Sequence, residues 1–486
     1  MGITAGRILK AAESTRRRGR QAARALAALA LFAVIAGCGG GGGGDDAAGP
    51  AGPQFLFFAA NDGTSGIELW KTDGTNAGTV RVRDIFSGAT SSSPSGLAVF
   101  NGALYFQASD AVSGTELWKS DGTDAGTVRV KDIVAGAGSS SPGGMTANGA
   151  WLYFQAADAM GLELWKTDGS DAGTVRVKDI NPGGSSALFS RPFFVLNGTL
   201  YFEATDGTSG AELWKTDGTD AGTVRVKDIN PGAGSSGPFA SGAAVFNGAL
   251  YFAATDGTSG FELWKTNGTD AGTVGVKDIN LGAGNSGVSG LAVFNGALYF
   301  AANDGTSGLE LWRTDGSEAG TVRVKDISPG VSGSVPSSFT VFNGALYFSA
   351  FDAAAGAELW KTDGTSAGTV RVSDIFVGPG GSSPQGLTGF NGALYFQAGD
   401  GTSGVEPWKS DGTETGTVRL KDINVGAGFS SATGFRVFNG ALYFQATDGA
   451  SGAELWKSDG TEAGTVRVRD INVGAGDSFP VALTPF

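Results

Sequence analysis

The side chains in this sequence that could move protons or hold a metal ion are carboxylates, and they recur at a fixed interval. Glu68 opens the phrase Glu-Leu-Trp-Lys-Thr-Asp-Gly-Thr, and its equivalents are Glu116, Glu163, Glu212, Glu262, Glu310, Glu358, Glu406 and Glu454. A carboxylate at a constant position could serve acid/base catalysis. Basic residues follow each one (Arg81 and Arg83 in the first copy), so a cross-strand ion pair in every repeat is the expected role. A second set, Asp62, Asp206, Asp256, Asp304, Asp400 and Asp448, precedes Gly in a loop and is the candidate ligand-facing rim. A third set, Asp73 and its equivalents, sits in Asp-Gly turns, where a carboxylate can accept nearby backbone N–H groups. Hard oxygen donors of this kind make calcium a conceivable ligand, but no metal site is assigned. The alternating carboxylates and closing Glu of an EF-hand are absent, and the spacing does not fit a sialidase Asp-box.

Other chemistry is excluded by composition. The 486 residues include no His and one Cys, Cys38. His-based proton transfer, Ser-His-Asp triads, His-ligated zinc and an internal disulfide are therefore all ruled out. The eight Tyr, from Tyr105 to Tyr443, occupy one repeat position, with Phe57 in the ninth copy. They could form sugar-stacking platforms, but their mid-strand position assigns them to packing between repeats. A catalytic centre is one asymmetric constellation, and the departures between copies gather no nucleophile, base or metal set. The chain reads as non-enzymatic.

The positioning elements are short strands. Nine Trp, from Trp70 to Trp456, recur at intervals of 47 to 50 residues, a period within the range of propeller blades. Within residues 96–133, Leu-Ala-Val-Phe, Ala-Leu-Tyr-Phe-Gln-Ala, Thr-Glu-Leu-Trp-Lys-Ser and Thr-Val-Arg-Val-Lys-Asp-Ile are four runs rich in β-branched and aromatic residues. Asn101-Gly102 marks a tight hairpin between the first two. A Gly/Ser/Pro segment follows each fourth run. It is long enough to cross about 15 Å, three strand spacings, from an outermost strand to the next innermost one. The first copy starts without its inner run, and Ser478–Phe486 aligns with Ser92–Phe100. The expected fold is all-β: a single closed propeller of nine four-stranded blades over 54–486, its first blade completed by the C-terminal strand.

Residues 1–37 read as a signal peptide. Seven basic residues precede Glu-free, uncharged Ala25–Gly37, which is short for a membrane span and sized for a signal core. Ile35-Ala36-Gly37-Cys38 resembles a bacterial lipobox, which implies a lipidated Cys38. Residues 38–53 then form a Gly-rich tether. Cleavage before Cys38 leaves 27 basic against 46 acidic residues, a formal charge of −19. Such a body repels nucleic acid and anionic surfaces, so lipid is the expected membrane contact. With Gly39 rather than Asp after the lipidated position, the lipobox resemblance implies the outer membrane over inner-membrane retention.

The stretch Glu-Leu-Trp-Lys-Thr-Asp-Gly-Thr-Asn-Ala-Gly-Thr-Val-Arg-Val-Arg-Asp-Ile (68–85) resembles the bacterial ELWxxDGT repeat family across nearly all of 54–486. Departures include Pro407 for Leu, Asn267 for the turn Asp and Gly275 for Arg. The resemblance implies a secreted or surface-anchored β-propeller and no defined activity. The expected function is a monomeric binding module of the cell envelope for polysaccharide or an envelope protein, without a cofactor. The alternatives are a polysaccharide-acting enzyme with carboxylates in the central funnel, or a structural surface protein. Cys38→Ser is expected to move the protein from membrane to soluble fractions; unchanged membrane fractionation would contradict lipidation.

Overall fold

Each Asn-Gly pair forces a hairpin. Asn101 and Gly102 both take positive φ, 46° and 71°, the backbone that a two-residue turn requires to match strand twist. Asn247, Asn295, Asn343, Asn391 and Asn439 do the same. A computed structural model describes residues 54–186 and 193–486. Within them lie 36 strands, numbered β1 to β36 in chain order, and no helix. The signal peptide, Cys38 and the tether lie outside the described residues.

The strands form nine antiparallel four-stranded sheets, the blades of a closed nine-bladed propeller. In the second blade, β4 (Ser95–Phe100) is innermost, followed outward by β5 (Ala103–Asp110), β6 (Gly114–Ser120) and β7 (Val128–Lys131). The first blade takes β1 (Leu56–Asn61), β2 (Ile67–Thr72) and β3 (Val80–Arg83) from one end of the chain and β36 (Val481–Pro485) from the other. Phe55 and Phe486 exchange backbone hydrogen bonds at 3.0 and 2.8 Å, fixing this closing pair.

Period-two alternation gives each blade two apolar faces. Leu56, Phe58, Ala60 and Trp70 pack against Tyr443, Leu455 and Ile471 of the ninth blade. Phe57, Leu69 and Val82 pack the other way, against Leu104, Phe106 and Trp118 of the second. Nine such clusters, each joining two neighbouring blades, share the core around the ring. The repeated Tyr and Trp therefore belong to blade interfaces. The Tyr side chains are 1–4% exposed.

Polar contacts follow the same circuit. Lys71 Nζ donates to the Gly122 carbonyl of the next blade at 2.8 Å, and Lys457 Nζ closes the circle on Gly74 at 2.8 Å. Gly74 has φ of 94°, and a Cβ there would lie 2.2 Å from Tyr443 Oη. This turn must be Gly because a Tyr from the preceding blade abuts it.

Removing Ser478–Phe486 strips the first blade of its inner strand and takes Leu483 from an interface. The melting temperature is expected to fall by about 5 °C or more, since several kcal/mol of buried apolar surface are lost. Unchanged unfolding would contradict closure by this strand.

Candidate functional site

The repeated glutamates do not form the ion pairs expected from the sequence. Glu68 is fully buried. Ile85 N–H donates to Oε2 and Ser92 N–H to Oε1, each at 2.9 Å, and Ser92 Oγ–H donates to Oε2 at 2.6 Å. Ile85 lies just after the outer strand, and Ser92 lies just before the next inner strand. One carboxylate thus holds both ends of the long connection. The Ile N–H bond recurs in all nine blades at 2.8–3.1 Å. The physical reason is that the connection buries backbone donors which need an acceptor. The register also differs from a simple hairpin: a bulge between Leu69 and Trp70 sets Arg81 opposite Trp70.

The arginine instead joins two aspartates. Arg81 lies 3.3 Å from Asp62 and 3.8 Å from Asp84. Equivalent bridges in seven further blades place Arg129, Arg176, Arg225, Arg323, Arg371, Arg419 and Arg467 within 3.9 Å of a loop carboxylate and of an outer-strand carboxylate. The outer-strand partners (Asp84, Asp132, Asp179, Asp228, Asp326, Asp374, Asp422 and Asp470) were not assigned a role from sequence, nor were the loop partners Asp110, Asp158 and Asp352. Their signal was present: an Asp precedes Ile at the end of every repeat.

The proposed rim aspartates Asp62, Asp206, Asp256, Asp304, Asp400 and Asp448 lie beside the long connections, as strand direction implied: Ile67 N–H, next to the Asp62 loop, donates to Ser91 Oγ of the connection. Their carboxylates turn onto their own loops. Asp62 Oδ1 accepts from Thr64 N–H at 2.9 Å and Ser65 N–H at 2.7 Å, while Oδ2 accepts from Ser65 Oγ–H at 2.8 Å. Asp206, Asp256, Asp304, Asp400 and Asp448 repeat the Oδ1 pattern. Asp73 caps its own turn by accepting from Thr75 N–H at 2.8 Å. Among the described residues, no group of three or more acidic, His or Cys side chains is placed to hold a metal ion.

Two cavities stand out. One, of about 530 Å³, lies at the inner strands of blades nine, one, two and three, and is lined by Leu97, Met145, Phe435, Arg436 and Leu483. The other, of about 300 Å³, belongs to blade five, where Gly275 occupies the bridging arginine's position. Asp256, Glu262, Trp264 and Asp278 line it.

The fold is that of a nine-bladed β-propeller. No family model matches the sequence, and no curated protein matches it. Among solved structures, the chain is similar to a puromycin hydrolase, at 13% identity over 72% of this chain and 58% of that one, with a TM-score of 0.35. It is also similar to a chain from a structural and mechanistic study of two prolyl endopeptidases (13%, 75% and 56%, 0.38). A third is a puromycin-hydrolyzing peptidase of Mycobacterium tuberculosis (10%, 74% and 59%, 0.37). The chain thus spans less than two thirds of each of these proteins. At such scores the likeness bears on neither activity nor substrate.

Two sets of carboxylates titrate in opposite directions. Burial raises all nine repeated glutamates, Glu262 from 4.5 to about 7. Burial also opposes ionisation of Asp62, Asp206 and Asp304, but hydrogen bonds from their loops outweigh it and bring each from 3.8 to about 2. A raised glutamate stabilises the fold below its unfolded value of 4.5, and that contribution is lost as pH rises towards 7. A lowered aspartate stabilises above 3.8, and its contribution is lost as pH falls towards 2. Melting temperature is therefore expected to peak at about pH 4–5 and to decline in both directions. A steady rise from pH 4 to 8 in a melting series would contradict this.

Proposed function

We propose that this protein is a non-catalytic, multivalent binding module of the cell envelope, held to the outer membrane by lipid on Cys38 and directed at carbohydrate or an envelope protein. The observation that carries this reading is the equivalence of the blades. Each presents the same loop and long connection on one face, and the repeated carboxylates are taken up in building that face. Exposed apolar side chains recur there at one position of the connection, at Leu281, Val377, Val425 and Val473. Repeated presentation of one surface suits several weak contacts acting together. The ELWxxDGT resemblance supports the anchored location.

The test is a glycan-array screen of the full chain purified in detergent, with calcium and then with chelator, followed by titration of any ligand found. Several equivalents bound per chain are expected. Turnover of a polysaccharide, or a single equivalent, would contradict a multivalent non-catalytic module.

A further inference from the structure

Blade five breaks the ring's symmetry at one side chain. In eight blades a guanidinium sits between a loop carboxylate and an outer-strand carboxylate. In blade five both carboxylates are kept, as Asp256 and Asp278, and the guanidinium is lost at Gly275. The space it would fill is the cavity of about 300 Å³, at the small end of ligand pockets and suited to one side chain. We propose that this cavity is a receptor for a guanidinium group from outside the chain, an arginine side chain of a partner peptide.

Three observations point to that ligand. The same constellation binds guanidinium eight times within this molecule, so its chemistry is set by example. Asp278 Oδ2, the oxygen whose equivalents meet the guanidinium in the other eight blades, accepts from Gly282 N–H at 3.2 Å and has no guanidinium beside it. Trp264 lines the cavity and is only partly buried, whereas the equivalent Trp side chains are 5–9% exposed. Gly275 pairs with Trp264 across the strands, and a Cβ on it would sit 3.7 Å from Trp264 Cε2. A cation entering this slot therefore runs along an indole, a favourable cation–π arrangement.

The charge balance agrees. Glu318 adds a carboxylate to the lining, Glu262 being committed to the Ile279 and Ser286 N–H groups, and Lys277 is the one cation there. Lys277 is engaged elsewhere, its Nζ donating to the Thr321 carbonyl at 3.0 Å. A planar fork matches two separated carboxylates better than an ammonium does, so arginine should be preferred to lysine. The proposal goes beyond the multivalent reading: it is one site per chain, not a repeated one.

The experiment is calorimetric titration of the full chain in detergent with N-acetylarginine amide, N-acetyllysine amide and the neutral N-acetylcitrulline amide. One arginine equivalent is expected per chain, with lysine at least about tenfold weaker and citrulline silent. Gly275→Arg fills the slot without a steric conflict at Cβ; it should abolish arginine binding and raise the melting temperature. Asp278→Asn should weaken binding at least about tenfold, since it removes one carboxylate of the pair. Absence of saturation in the millimolar range, citrulline binding as well as arginine, or undiminished binding in Gly275→Arg would each overturn the site. Should a variant fail to fold, the arginine–citrulline comparison on the unaltered chain still decides. Glycan binding is read separately, so either result stands apart from the multivalent reading.

Discussion

A propeller must return its chain from the outside of one blade to the inside of the next, and here that return is held by one buried carboxylate. Glu68 accepts from Ile85 at the start of the crossing and from Ser92 at its end. Without such an acceptor the crossing would bury unpaired N–H groups, each costing about 1–3 kcal/mol. With it, the next inner strand starts at a fixed place, which sets how Leu104 and Phe106 meet Phe57 and Leu69. The apolar interfaces supply most of the stabilisation, but their geometry is inherited from this polar clamp.

Much of the fold could be read directly from the residues. Period-two runs, the Asn-Gly turns and the alignment of Ser478–Phe486 with Ser92–Phe100 led to nine blades and to closure by β36, because strand faces and tight turns obey local rules. The role of the glutamates was not legible in the same way. Counting residues along a hairpin placed Glu68 near an arginine, but a bulge at Leu69–Trp70 and the burial of the connection's amides redirected it. Neither effect is local. The overlooked sign was a serine 24 residues after eight of the nine glutamates, such as Ser92, Ser140, Ser334 and Ser382, whose N–H and hydroxyl both reach the carboxylate. The loop of Asp62 lies beside the long connection, but nothing in the sequence indicated that Thr64, Ser65 and Arg81 take up its carboxylate.

Repetition also separates structural chemistry from recognition. A residue present in every blade is most simply explained by what every blade must do: close a turn, fill an interface or hold a crossing. Information specific to a ligand lies either in the collective surface or in a departure from the pattern. Gly275 is such a departure, because it removes a cation while leaving the two carboxylates that surround one elsewhere. Pro407 and Asn267 are milder: Pro407 retains its strand pairing with Gln397, and Asn267 still accepts from Thr269 N–H at 3.0 Å.

The carboxylate clamp is tested most directly by amide hydrogen exchange on the full chain and on Glu68→Ala. In the unaltered protein the N–H groups of Ile85 and Ser92, which each donate to Glu68 at 2.9 Å, should exchange as slowly as those of the central strands. In Glu68→Ala they should become fast while the hairpin Leu56–Thr72 stays protected. If both amides remain equally protected without the carboxylate, the crossing is held by packing alone and the clamp is not what positions the blades.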